Sequence, residues 1–365
     1  MNRSQDETFM QMALELAENG RGRTSPNPLV GAVIVKEGKV VAAGWHRRAG
    51  TPHAEIHALN MAGDLAKGAD MYVTLEPCAH YGRTGPCAKA IAAAGIKRVV
   101  MATLDPNPKV AGGGARILRE AGTEVAVGVL EAAARRQNEV FFKWITTGQP
   151  FVLLKTAMSL DGKIATFRGE SQWITNETSR DYVHELRDAY DGIMVGIGTV
   201  LGDNPSLTTR LKNRRGKNPT RIVVDSKART PLTARLLTDG LAPTVIAVSQ
   251  KASPEKTAAL KAAGATLITA GEGERVDLQI LMKELGKRGI CSLLVEGGGT
   301  LNFSLLKDGL VDKVAAFIAP KLIGGREALT PLEGEGFAAL SEAVTLKETS
   351  FRELDGDLLL TGYVK

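Results

Sequence analysis

Cysteine is scarce. The 365 residues hold three, Cys78, Cys87 and Cys291, too few for a disulfide framework and typical of a chain whose thiols stay reduced. Aromatic residues make up 5%, with no cluster of rings beside basic residues such as would stack on single-stranded nucleic acid. No apolar run approaches the roughly 18 residues of a membrane span. The start, Met1-Asn2-Arg3-Ser4-Gln5-Asp6-Glu7, carries no apolar signal segment. These absences predict a soluble, cytoplasmic protein.

What is present is ordinary for a globular chain, 44% hydrophobic and 24% charged. The length exceeds what one hydrophobic core usually serves, so two domains are expected. A net charge of +6 favours an anionic partner: a phosphorylated small molecule, a phosphate-bearing cofactor or nucleic acid. Charge alone does not choose among them.

Apolar spacing in the first 150 residues alternates between helix and strand periods. Phe9, Met12, Ala13, Leu16 and Ala17 share a helical face. Gly31 to Val35 and Lys39 to Ala43 read as a hairpin across Lys36-Glu37-Gly38. Helices follow at Ala54 to Ala66, after Pro86, and near Ala115 to Ala121; strands follow at Met71 to Leu75, Arg98 to Ala102 and Glu124 to Val127. Thr146-Thr147-Gly148-Gln149-Pro150 is polar and carries both breakers, so it divides the chain into 1–147 and 148–365. Beyond it come strands at Phe151, Gly192, Arg221, Val245, Ser292 and Val314, helices at Glu177, Pro254 and Leu278, and an edge strand at Leu358 to Val364. This is an α/β pattern in both halves.

The strongest chemical signal is His53-Ala54-Glu55, then Glu76-Pro77-Cys78 and Pro86-Cys87. One imidazole and two thiolates make a tetrahedral zinc site whose fourth position is left for water. Cys87 opens a helix whose dipole favours a thiolate. A structural zinc site is the bland alternative, but it would normally bring a fourth protein ligand, and His80 is the only nearby candidate. Glu55, two residues beyond the first ligand, can reach the open position and move protons without binding metal. The pattern matches zinc deaminases, except that eight residues separate the cysteines instead of two.

Ser25-Pro26-Asn27-Pro28-Leu29-Val30-Gly31, HAEIHAL, LEPCAHYGRTGPC and DPNPKVAGGG together resemble the bifunctional riboflavin-biosynthesis deaminase/reductases. KTAMSLDGKIAT, ESQWIT, GIGTVLGDNPSLTTR and LLVEGGGTLN carry the resemblance through the second half. It implies a cytidine-deaminase-like three-layer domain, then a dihydrofolate-reductase-like domain. It implies one zinc on His53, Cys78 and Cys87, proton transfer by Glu55, and a first pocket lined by Asn27, His80, Arg83, Asp105 and Asn107. In the second half it implies NADPH against Ala157, Trp173, Thr199, Asp203 and Ser226, with Gly298, Gly299, Thr300, Leu301, Asn302, Phe303 and Ser304 around its phosphates. Lys155, Ser171, Arg187, Leu207, Arg210 and Glu296 are expected to face a phosphorylated pyrimidine, Arg187 and Arg210 as phosphate clamps. A homodimer is the favoured assembly, with neither nucleic acid nor membrane as partner. Taken singly, these residues read otherwise: a lone tryptophan by default packs in a core, an arginine is usually solvated, and asparagines beside proline form turns.

Two other readings stay open on sequence: a nucleic-acid or nucleoside deaminase with an accessory nucleotide-binding domain, and a zinc-stabilised nucleotide-binding module without catalysis. The long cysteine loop and the sparse aromatics argue against the first. Glu55 argues against the second.

Overall fold

The computed structural model describes residues 3–79, 85–107 and 111–365. The chain divides into two compact units, Met1–Gly148 and Gln149–Lys365.

The first unit runs α1 (Arg3–Glu18), β1 (Gly31–Lys36), β2 (Lys39–Trp45), α2 (Ala54–Ala62), β3 (Asp70–Val73), α3 (Cys87–Ala93), β4 (Arg98–Met101), α4 (Gly113–Glu120), β5 (Glu124–Val127), α5 (Glu131–Gln137) and α6 (Glu139–Thr147). Among the described residues, five strands form a sheet in the order β2-β1-β3-β4-β5. β1 is antiparallel to β2 and β3, and β3, β4 and β5 are parallel. Successive strand side chains point to opposite faces, and both faces are apolar here. Val33, Val35, Tyr72 and Val100 meet Met10, Ala13 and Leu14 of α1. Ile34, Met71, Val73 and Val99 meet Ala58 of α2, Ile91 of α3 and Leu118 of α4. The result is the helix–sheet–helix sandwich expected of a half-parallel sheet.

Two local features fix the loops that carry chemistry. Asn138, buried between α5 and α6, accepts from Leu29 N (2.8 Å) and donates to Leu29 O (2.9 Å), which pins the Asn27–Leu29 segment. The expected helix to Ala66 stops being α-helical at Ala62; Gly63 has φ 53° and opens a 3₁₀ turn, Gly63–Ala66.

The second unit runs β6 (Phe151–Ser159), α7 (Glu177–Ala189), β7 (Gly192–Gly196), α8 (Ile197–Asp203), β8 (Thr220–Val224), α9 (Arg235–Thr238), β9 (Thr244–Val248), α10 (Pro254–Ala262), β10 (Thr266–Thr269), α11 (Leu278–Lys287), β11 (Ser292–Val295), α12 (Gly299–Lys307), β12 (Lys313–Ala319), β13 (Leu346–Leu354) and β14 (Asp357–Val364). Among the described residues its sheet has nine strands, ordered β10-β9-β8-β7-β11-β6-β12-β14-β13. All neighbours are parallel as far as β12, and β14 is antiparallel to both its partners. One face meets Leu281 and Leu285 of α11 and Leu305 of α12. The other meets Val200 of α8, Leu236 of α9 and Leu260 of α10, and near β6 and β12 it meets Val183 of α7.

The tail Leu358–Val364 is not an edge strand. β13 pairs outside it, and β13 is exposed along most of its length, Phe351 included. Its sequence LKETSFREL lacks the apolar alternation that would have announced it.

Candidate active sites

His53 caps the N-terminus of α2, Cys78 follows β3, and Cys87 is the first residue of α3. His53 Nδ1 lies 3.3 Å from Cys87 Sγ and 3.7 Å from Cys78 Sγ, and the three ligand atoms all fall within 4.8 Å of one another. For zinc–sulfur and zinc–nitrogen bonds of ordinary length, the edge of a tetrahedron is roughly 3.6 Å, so this donor set fits zinc. Glu55 sits one half-turn into α2 with 3% of its surface exposed.

The electrostatics of the cluster differ from the sequence expectation in one respect. The first N–H of α3 donates to Cys78 Sγ (3.3 Å), so the helix end serves Cys78 and not Cys87. Hydrogen bonding from Cys87, against the cost of burial, brings the Cys78 thiol down, whereas the neighbouring sulfur and burial push Cys87 up. His53 is raised by its hydrogen bond to Cys78, with burial opposing. Burial raises the Glu55 carboxyl, opposed by His53.

Beside the cluster lies a residue that sequence reading missed. His46 is buried, its ring edge-on to His53 with centroids 5.3 Å apart. Its Nδ1 donates to Pro52 O (3.2 Å), leaving Nε2 to accept from Asn27 Nδ2 (3.1 Å). Burial lowers the His46 pKa, which favours this neutral form. Asn27 is thereby held with Nδ2 toward His46. Only its position before the HAE motif distinguished His46 in the sequence. Asp105 folds back on its own turn, Oδ1 accepting from Asn107 N (2.9 Å). The expected pocket residues His80 and Arg83 lie outside the described residues.

In the second unit Glu296, just past β11, receives Arg187 of α7 in a two-pronged pair (Nε 2.7 Å, Nη2 3.0 Å). Lys155 Nζ of β6 lies 3.7 Å away, and all three side chains are at most 15% exposed. Although burial opposes it, Arg187 and Lys155 hold the Glu296 carboxyl at about 2, and burial lowers Lys155. Arg187, expected as a phosphate clamp, also donates from Nη1 to Thr208 O (3.0 Å), so each guanidinium nitrogen is engaged. It is neither open nor solvated. Arg210 is exposed; its Nη1 donates to Thr208 Oγ1 (3.2 Å), and its backbone N donates to His184 Nδ1 (3.3 Å). Leu207 is buried with φ 51°, and Ser171 is half-buried on the loop before α7.

A cavity of about 1150 Å³ opens beyond β7 and β8, at the carboxyl ends of parallel strands where such sheets bind ligands. Ser226, Thr300, Leu301, Phe303 and Ser304, the residues that the resemblance sets against a dinucleotide, line it. Arg275 and Lys307 also line it; nothing in their sequence setting marked them. Two expected residues turn inward instead. Asn302 is buried and donates to Pro331 O (2.8 Å), and a Cβ on Gly299 would lie 2.7 Å from Thr330 O. The glycine run therefore also serves close packing of residues 330–333. Thr199 approaches Gly298, Asp203 ends α8 with burial raising its carboxyl, and Ala157 is half-buried in β6. Trp173 is no core residue: it is 61% exposed, with the Arg180 guanidinium 4.7 Å from its ring centre.

Among the described residues no helix is long and apolar enough to cross a membrane. Residues 3–103 match the family model for the cytidine and deoxycytidylate deaminase zinc-binding region, and residues 150–360 match that for the RibD C-terminal domain. The riboflavin biosynthesis protein RibD of Bacillus amyloliquefaciens is 46% identical over 360 residues, 99% of this chain and 96% of that one. Among solved structures, Acinetobacter baumannii RibD superposes with a TM-score of 0.90 at 38% identity over the whole of both chains. A Thermotoga maritima diaminohydroxyphosphoribosylaminopyrimidine deaminase/5-amino-6-(5-phosphoribosylamino)uracil reductase gives 0.86 at 37%, covering 100% of this chain and 99% of that one. A deaminase unit with a zinc-ligand cluster and a dihydrofolate-reductase-like unit with a ligand cleft are thus joined in one chain, which belongs to the RibD family of bifunctional deaminase/reductases of riboflavin biosynthesis.

Proposed function

We propose that the first unit deaminates 2,5-diamino-6-(5-phosphoribosylamino)pyrimidin-4(3H)-one. The second then reduces the ribosyl side chain of 5-amino-6-(5-phosphoribosylamino)uracil to ribityl, with NADPH as the reductant. The observation that carries this reading is the pairing of the His53, Cys78 and Cys87 cluster with a buried carboxylate, Glu55, on the same helix turn.

A zinc ion held by those three residues would supply the Lewis acidity that makes water nucleophilic near neutral pH. Glu55 takes a proton from the attacking water and passes it to the ring nitrogen. Ionised again, it takes the second proton from the hydroxyl that the water has left on the ring carbon and gives it to the departing amine. Water and the aminopyrimidine thus become ammonia and the pyrimidinone, and Glu55 ends as it began. A carboxyl raised by burial suits a group that must both accept and return a proton. Asn27, oriented through His46, presents its Oδ1 as an acceptor for a heterocycle N–H.

In the second unit NADPH, when bound, supplies the hydride. Glu296, kept ionised by Arg187 and Lys155, would accept from sugar hydroxyls, and Lys155 would hold at Nζ the proton that the sugar oxygen takes up. Arg210, the more exposed arginine, is the better phosphate ligand of the two. Ser226, Lys227 and Arg229 would meet a ribose phosphate. A cytoplasmic homodimer belongs to the same reading, from the low cysteine content and the family resemblance.

The test is a coupled assay with the diaminopyrimidinone, zinc and NADPH, reading ammonia and NADPH loss separately. Both should be seen. Stripping zinc should stop ammonia release while NADPH is still consumed on the deaminated intermediate. Ammonia release indifferent to zinc, or no NADPH consumption, would sink the reading.

A further inference from the structure

Glu76 precedes the zinc-ligand segment Pro77-Cys78, and only 4% of it is exposed. A carboxylate removed from water must be repaid by donors, and among the described residues Glu76 has three, all backbone. Its Oε2 accepts from Asp105 N (3.2 Å) and Gly112 N (2.9 Å), and its Oε1 accepts from Ala115 N (3.0 Å). Its own N–H donates to Thr103 O (3.0 Å), continuing the β3–β4 pairing. The carboxylate therefore gathers the start of the 105–107 segment and the first turn of α4, and ties both to the strand end that carries Cys78.

The glycine run in DPNPKVAGGG, which the zinc chemistry leaves unexplained, supports the same contact independently. Gly112, whose N–H reaches Glu76, has φ 77°, a left-handed conformation that glycine adopts without steric cost and that lets the chain turn there into α4. A Cβ on Gly114 would lie 1.9 Å from Pro77 O. No other residue lets α4 come this close to the turn between Glu76 and Cys78.

We propose that Glu76 and the Gly112–Gly114 turn form a latch that sets the Asp105–Asn107 segment at a fixed distance from Cys78, making Glu76 a positioning residue for deamination. This rests on the reading that Asn107 contacts the pyrimidine substrate. The latch acts through that segment and touches neither substrate nor metal.

The test uses the full-length, zinc-loaded chain. Glu76→Gln replaces one acceptor oxygen by a donor, so KM for the diaminopyrimidinone should rise roughly tenfold, the scale of one lost charge-assisted bond. kcat should move less, zinc should stay at one per chain, and reduction of the aminouracil should be unchanged. Asn107→Ala should raise KM similarly, and the double variant should be little worse than either single, because residues acting through one contact are not additive. Full additivity, an unchanged KM, or loss of zinc overturns the latch. If Glu76→Gln is too unstable to assay, Glu76→Asp, which draws the carboxylate back by one methylene, must reproduce the KM rise, and an unchanged KM there overturns it. Amide exchange at Asp105, Gly112 and Ala115 needs no substrate and should quicken in the Glu76 variants. Unchanged protection defeats the latch whatever the substrate proves to be, whereas a wild type that releases no ammonia defeats only the assignment of substrate.

Discussion

The two units solve their binding problems differently. The deaminase centre draws His53, Glu55, Cys78 and Cys87 from two helix starts and one strand end, all within the first unit. The large cleft of the second unit is assembled from single residues after β8, before α11 and along α12, and half of its charge is self-cancelling. Lys227 faces Glu274 at 3.3 Å and Lys307 faces Glu335 at 3.2 Å. A metal needs few ligands of restricted type at strict separations. A dinucleotide spreads its contacts over a long surface, where backbone and side chains of many kinds serve equally.

The largest effect should come from the compact centre. Glu55→Gln keeps the shape and removes the base, so deamination should fall by roughly 100-fold or more. Zinc content, measured by metal analysis, should stay at one per chain, and reductase activity on the deaminated intermediate should persist. Loss of zinc, or a largely preserved ammonia rate, would end the distinction between ligand and base.

The same contrast governs what could be read before the fold was known. The clustering of His53, Cys78 and Cys87 and the parallel strands were legible because donor chemistry and apolar runs leave a local imprint. His46 was not: its role depends on Pro52 O and Asn27 Nδ2 converging on one ring, and no short spacing encodes that. Arg187 was legible as important but not in its geometry, since its partner Glu296 is distant in sequence. Gly299 and Asn302 lie in a run that reads as a phosphate loop, yet both face residues 330–333. Close packing and phosphate binding call for the same small residues. β13 left no pattern, because a strand open to water needs no alternation.

An intermediate effect is expected in the diffuse cleft, on cofactor choice. Ser226 Oγ already accepts from Val276 N (3.0 Å), so its hydroxyl hydrogen is what remains for a ligand. Lys227 must leave Glu274 to meet a phosphate. The preference of kcat/KM for NADPH over NADH should therefore be about tenfold, near the value of one charge-assisted bond. Ser226→Ala with Lys227→Ala should erase most of it. Equal use of both cofactors by the wild type, or a double variant with its full preference, would remove this turn from the cofactor site.

The smallest effect should lie away from both centres, where α1 is fastened to its sheet. Arg98 of β4 grips both oxygens of Asp6 (2.9 and 2.8 Å), and Tyr72 of β3 donates to Asp6 Oδ1 (2.7 Å). Hydrogen bonding from Arg98, with burial opposing, holds the Asp6 carboxyl below the usual carboxylate range. A group depressed in the folded state stabilises fully above its unfolded pKa, about 3.9, and loses that contribution as pH falls through the lower folded value. Asp6→Asn should leave kcat for deamination intact at pH 7 while lowering stability by about 1–3 kcal/mol. That is visible as a lower urea midpoint for loss of deaminase activity. The gap between variant and wild type should be constant from pH 7 to pH 5 and narrow below about pH 4. The urea midpoint for loss of reductase activity supplies the control, since Asp6, Tyr72 and Arg98 all belong to the first unit. A gap that widened on acidification would reverse the sign and show that Asp6 is stabilised as the neutral acid. A gap independent of pH down to pH 3 would mean that Asn keeps the Arg98 and Tyr72 contacts and that the charge itself contributes nothing.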